Sequence, residues 1–225
     1  MATPLSVALR DRTAAAHKSA ETSSFVTELL EGRACYSAFT MLATQQLVIY
    51  RALETVLHAH YRHHPLIAAV DDRRLDRVSE IERDLTTLVG SDFEVRLADG
   101  SLPIREATTA YARMLREEHT PEMVLANHYV RYLGDLSGGQ VIAKLAQRHY
   151  AVPEQALHFY HFEGIEKLKV YKDHYRSALD NIDMTNGQRK RVLEHAVRAF
   201  EHNEAVFADL AAAKDPLHTA AGVVS

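Results

Sequence analysis

Along most of this chain apolar residues recur at spacings of three and four, and no run alternates apolar with polar positions as a strand would. Thr3 followed by Pro4 marks a first helix, with Leu5, Leu9, Thr13, Ala16, His17 and Ala20 along one side. Ser23 or Ser24 opens a short segment that Gly32 ends. From about Ser37 to Tyr61 a stripe of Phe39, Leu42, Ala43, Gln46, Tyr50, Leu53 and Leu57 has Gln46 as its one polar member, and Pro65 closes it. Asp71 or Asp72 begins a helix that turns Leu75, Val78, Ile81, Leu85 and Leu88 inward and stops at Gly90. Ser91 to Ser101 reads as irregular. Further helices are expected from about Pro103 to Glu118, from Thr120-Pro121-Glu122 to about Tyr150, briefly after Pro153, and from Gly164 to Asn181. Thr185 with Gln188 forms a capping box for a last helix to about Ala213. The pattern predicts an all-α single domain of about eight helices over residues 1–213, with 214–225 a disordered tail.

Composition narrows the class. A length of 225 residues with 47% hydrophobic and 25% charged residues suits one globular domain with a sizeable core. The net charge of −4 gives no general attraction to nucleic acid. The single cysteine, Cys35, excludes an internal disulfide and any multi-cysteine metal site, and fits a reducing cytoplasm. No signal peptide is visible in the first residues, and no apolar run is long enough to span a bilayer, so neither is expected.

One stretch departs from ordinary helix composition. Asn127 to Gln140 places Gly134, Gly138 and Gly139 inside a helical pattern, together with Asp135 and Ser137. Each interior glycine costs about 1 kcal/mol relative to alanine, so the chain accepts a local loss here. Such glycines serve either a close helix–helix crossing or a flat ligand pressed against backbone. His17 has Glu21 one turn later, where a carboxylate can orient an imidazole that binds metal. Lys169, Lys172 and Arg176 form a basic stripe, which is either a solvated face or, with Arg10, a site for a dianionic edge. Tyr50, Tyr111, Tyr129 and Arg131 are polar groups within core-forming helices and could border a cavity that holds water.

Taken together these residues resemble the heme oxygenase family. His128-Tyr129-Val130-Arg131-Tyr132-Leu133-Gly134-Asp135-Leu136-Ser137-Gly138-Gly139-Gln140 looks like its distal-helix signature, and Ala16-His17-Lys18-Ser19-Ala20-Glu21 like its proximal-histidine segment. Phe159 to Arg176 resembles the helix that holds the heme propionates, and the likeness covers about residues 5–210. It implies heme b sandwiched between a proximal and a distal helix as both substrate and cofactor. O2 and electrons from an external reductant would open the ring to biliverdin, carbon monoxide and ferrous iron. His17 would ligate the iron and Glu21 would steady it. Gly134, Gly138 and Gly139 would let the distal backbone approach, with Phe200 and Phe207 on the final helix. Asp135, Arg131, Tyr50, Tyr111 and Asn203 would hold the catalytic water network. Tyr129, Lys172, Arg176 and Arg10 would take the propionates; family members often carry lysine where Arg10 stands. Without the hydrophobic tail of the membrane-anchored members, the chain resembles the soluble bacterial type. That type implies a cytoplasmic monomer that frees iron with a ferredoxin or flavoprotein reductase as redox partner.

Three rival readings share parts of this pattern. A heme carrier or sensor would use His17 and the basic stripe but not Asp135. A di-iron enzyme on a similar fold would need Glu-x-x-His pairs, and no glutamate here has histidine three residues on. A helical scaffold would make the glycines simple packing features.

Overall fold

The structure, a computed structural model, describes residues 3–221, with side chains through Ala213. Nine α-helices and no strand form among the described residues: α1 (Leu5–Glu21), α2 (Ser24–Leu30), α3 (Tyr36–Val56), α4 (Val78–Val89), α5 (Phe93–Ala98), α6 (Glu106–Glu117), α7 (Pro121–Tyr150), α8 (Leu168–Asp180) and α9 (Asn186–Ala221). The expected tail beyond Ala213 begins as a continuation of α9. Its side chains and residues 222–225 lie outside the described residues.

The core forms around α3, which packs on α4 and α6 and also meets α7 and α9. Its burial runs nearly all round, from Ala38 through Gln45 without a break, because apolar residues occupy more than one face. Gln45, not Gln46, is the buried glutamine of this helix. Its amide donates to the Met41 and Pro103 carbonyls, each at 3.1 Å, and its Oε1 accepts the Arg105 N–H at 2.8 Å, tying α3 to the start of α6. The first half of α7 is equally enclosed, with Glu122 to His128 all buried, whereas its second half buries a single face. That change from full to one-sided burial leaves the glycine stretch beside a cleft.

Several boundaries differ from expectation because remote side chains satisfy helix ends. Thr120 and Thr185 cap α7 and α9 as predicted, the latter through the reciprocal bonds with Gln188. Thr3 does not cap α1. Pro4 occupies the cap, and the Ser6 N–H is taken at 2.7 Å by Asp180 of α8. The helix expected from Asp72 breaks after one turn (Arg73–Leu75). It restarts as α4 because the buried Glu54 carboxylate of α3 accepts the Arg77 and Val78 N–H groups at 2.6 and 3.4 Å. The Ser91–Ser101 segment, expected to be irregular, contains α5, which turns Phe93 into the core. The turn after Pro153 is two short 3-10 turns, and α8 begins later than expected, at Leu168.

Candidate active site

A cleft of about 530 Å³ opens between α1 and α7, with Phe200 of α9 at its base and Arg176 of α8 at its edge. From α1 it is lined by Arg10, Thr13, Ala14, His17 and Glu21, the face that a three-and-four spacing puts on one side of a helix. The Nδ1 of His17 lies 3.2 Å from Oε2 of Glu21, one turn on, which directs the other ring nitrogen to any metal. Phe200 meets the imidazole edge-on at 5.5 Å and limits its rotation.

The opposite wall is Val130, Leu133, Gly134, Ser137 and Gly138 of α7. The helix passes through the glycines without interruption. A Cβ added at Gly134 or Gly138 would meet nothing within 4 Å, so side chains there would project into open cleft. Gly139 differs. It is buried, and its Cβ would meet Tyr160 at 3.1 Å, so it serves a close crossing behind the helix rather than the cleft. Gly139 thus fits the close-crossing reading, whereas Gly134 and Gly138 leave their face of the helix open. Phe207 also lies off the cleft lining and stacks on Phe25 at 6.2 Å.

The rim carries positive charge. Arg10 and Arg176 line it, each paired with an exposed neighbour on its own helix, Asp11 at 2.9 Å and Asp173 at 3.0 Å. Tyr129 of α7 and Thr13 of α1 line the cleft together. Burial raises the Tyr129 pKa, and the charges of Arg176 and Arg10 oppose that rise. Lys172 donates to the Ser137 hydroxyl at 3.3 Å across the mouth.

One residue round α7 from the lining runs a polar stripe of Asn127, Arg131 and Asp135, spaced by four. The Tyr50 hydroxyl, buried on α3, donates to Asp135, and the Arg131 guanidinium lies 4.6 Å over the Tyr50 ring. Arg131 also donates to Asn203 of α9 at 2.7 Å. Burial lifts the Asp135 pKa to about 6, against the lowering effects of Arg131 and the Tyr50 bond. Tyr111 joins at one remove, its hydroxyl donating at 2.6 Å to Asn127, with burial raising its pKa to about 12. Sequence reasoning missed Asn127, although its position four residues before Arg131 could have shown it. It also missed Ala14, Val130 and Leu133, whose apolar character marks only burial. His128, in the same motif, faces away from the cleft. Its Nδ1 lies 2.8 Å from the Tyr175 hydroxyl, and burial lowers its pKa to about 3.

Among the described residues no group of three or more His, Cys, Asp or Glu side chains could hold a metal ion. The arrangement instead offers one imidazole to a metal that brings its other ligands with it, between an apolar wall and a cationic rim. No helix of the described residues is long and apolar enough to cross a membrane.

A family model described as Heme oxygenase matches residues 3–209. Heme oxygenase 1 of Gallus gallus is 34% identical over 213 residues, covering 92% of this chain and 70% of that protein. Heme oxygenase 1 of Synechocystis sp. is 30% identical over 212 residues, covering 93% of this chain and 86% of its own length. Among solved structures, heme oxygenase-1 from the cyanobacterium Synechocystis sp. in complex with heme superposes with a TM-score of 0.88 at 30% identity, over 98% of this chain and 97% of that one. Heme oxygenase from Leptospira interrogans gives 0.83 at 28% identity, over 91% and 98%.

Proposed function

Because this chain belongs to the heme oxygenase family, we propose that the cleft between α1 and α7 binds heme b and that its residues direct the oxidative opening of the ring to biliverdin, carbon monoxide and ferrous iron. The cleft fits the group. It is flat-walled where Gly134 and Gly138 carry no Cβ, it offers one oriented imidazole, and its rim is cationic where two propionates need partners. Heme supplies the redox-active iron and the ring that is opened, with O2 and electrons from an external reductant.

The protein's residues have separable tasks. His17 would ligate the heme iron, and Glu21, 3.2 Å from its Nδ1, would hold the ring in one orientation. Tyr129, Arg10, Arg176 and Lys172 would hold the propionate edge and so would select which ring carbon faces α7. Asp135 has a pKa near 6 and accepts the Tyr50 hydroxyl, so near neutral pH it can hold water and pass a proton without touching the metal. Arg131, fixed by Asn203 and by the Tyr50 ring, keeps that carboxylate ionised more readily than burial alone would allow.

The observation that carries this reading is the opposition of His17, already engaged by Glu21, to the open glycine surface of α7. Reconstitution with hemin, followed by addition of O2 and an electron donor, tests it. Loss of the Soret band with biliverdin and carbon monoxide formed is the expected result; an unchanged Soret band would establish a carrier or sensor instead. We further propose that the chain acts as a cytoplasmic monomer, receives electrons from a ferredoxin or flavoprotein reductase, and serves the release of iron from heme.

A further inference from the structure

Arg10 and Arg176 line the same cleft from two helices, and those helices are joined by a contact one turn away. Ser6 lies four residues before Arg10 on α1, and Asp180 four residues after Arg176 on α8. Ser6 and Asp180 therefore form the next rung between the two helices. Both Asp180 oxygens are used: Oδ1 accepts the Ser6 N–H at 2.7 Å and Oδ2 accepts the Ser6 hydroxyl at 2.9 Å.

This contact replaces something α1 lacks. Its cap position is Pro4, and no local side chain accepts its first N–H groups. The Asp180 carboxylate supplies that acceptor from another helix, and its negative charge suits a helix N-terminus. On the other side, Arg189 of α9 donates to the Thr3 and Pro4 carbonyls. The start of α1 is thus located by α8 and α9, because across from α7 it has the cleft. Arg10 and Arg176 themselves pair within their own helices, with Asp11 and Asp173, and not with each other.

We propose that Asp180 is a positioning residue for ligand orientation: its clamp on Ser6 sets the separation of Arg10 and Arg176, and through it which edge of a dicarboxylate porphyrin enters and which ring carbon meets α7. This rests on the reading that those arginines bind the two carboxylates. The two bonds to two oxygens fix the rotation of α1 as well as its distance, so either change would move Arg10 relative to Arg176.

The full chain is titrated with zinc protoporphyrin IX, which does not turn over, and with its dimethyl ester, and the ratio of the two affinities is measured. Biliverdin isomers from hemin turnover are separated in parallel. Arg10→Ala and Arg176→Ala should lower the preference for the diacid; if neither does, the carboxylate reading fails and the clamp falls with it. Given that loss, Asp180→Ala should lower the preference by about threefold or more, the scale of one exposed ion pair, and add a second biliverdin isomer. Ser6→Ala, which keeps the backbone bond, should show the same change in smaller degree and serves if Asp180→Ala does not fold. A diacid preference equal to that of the unsubstituted chain in these variants overturns the proposal.

Discussion

The Tyr50 hydroxyl of α3 donates to the Asp135 carboxylate of α7, joining the central helix to the flank of the helix that walls the cleft. Tyr50 is fully buried and Asp135 half-buried, and desolvation raises both pKa values, Asp135 to about 6. Asp135 is not part of the cleft lining. Asp135→Ala should therefore leave heme affinity within about threefold of the unsubstituted chain while slowing biliverdin formation by a factor on the order of 100, the usual worth of a proton-handling group. Tyr50→Phe keeps the ring under Arg131 and should cost less. Heme titration and product extraction measure the two effects separately, and parallel losses in both would place Asp135 in binding instead.

Gly134 and Gly138 should respond to alanine with the opposite sign from Gly139. At the first two a methyl group meets open cleft, so each substitution should raise apoprotein stability by about 1 kcal/mol through helix propensity. The same methyl groups should weaken heme binding, since they occupy the face the ring needs. At Gly139 a methyl group presses on Tyr160, which is buried and packed edge-on against Phe159 at 4.8 Å. Gly139→Ala should lower the thermal midpoint and change heme affinity little. Melting curves of the three apoproteins decide it; a common sign would mean that all three share one role.

His17→Ala should remove the axial-imidazole signature from the ferric spectrum, and added imidazole should restore it. Phe200 and Glu21 would still border the space that the ring leaves. Because His17 is half-exposed and lies outside the core, the apoprotein melting point should stay nearly unchanged. A spectrum that keeps its histidine signature would move the ligand to another residue.

The helical periodicity is enough to read most of this fold, and the residue types on α1 and α7 single out His17, Glu21, Gly134 and Gly138 as candidates, all four of which line one cleft. Helix ends were less legible where the acceptor came from elsewhere in the chain. Glu54 caps α4 and Asp180 caps α1 from sequence distances that no local pattern encodes. Gly139 could not be separated from its neighbours by spacing, because what distinguishes it is Tyr160 behind the helix. Phe207 shares an apolar stripe with Phe200, yet only one of them reaches the cleft. A periodic pattern assigns a face to the interior; it does not say whether that interior is core or ligand space.

Glu54 should make the apoprotein less stable as pH rises through neutrality. Its carboxylate is 6% exposed, and burial, reinforced by the nearby Asp76 charge, lifts its pKa from 4.5 to about 7 despite bonds from the Arg77 and Val78 N–H groups and Tyr132. Between those two values the folded chain keeps a proton that the unfolded chain has released. The stabilisation is therefore complete below the unfolded pKa and is lost as pH passes the folded one. A shift of this size corresponds to an upper bound of about 3 kcal/mol at roughly 1.4 kcal/mol per pKa unit. Glu54→Gln removes the titration while keeping an oxygen to accept the Arg77 N–H. At pH 5 the variant and the unsubstituted chain should have similar urea midpoints, whereas at pH 8 the variant should be the more stable. Asp84 and Asp135, whose pKa values are also raised by burial, titrate in both proteins and cancel in the difference. Urea midpoints that stay parallel across this range would show that Glu54 remains ionised in the folded chain, with its helix-capping bonds outweighing the cost of burial.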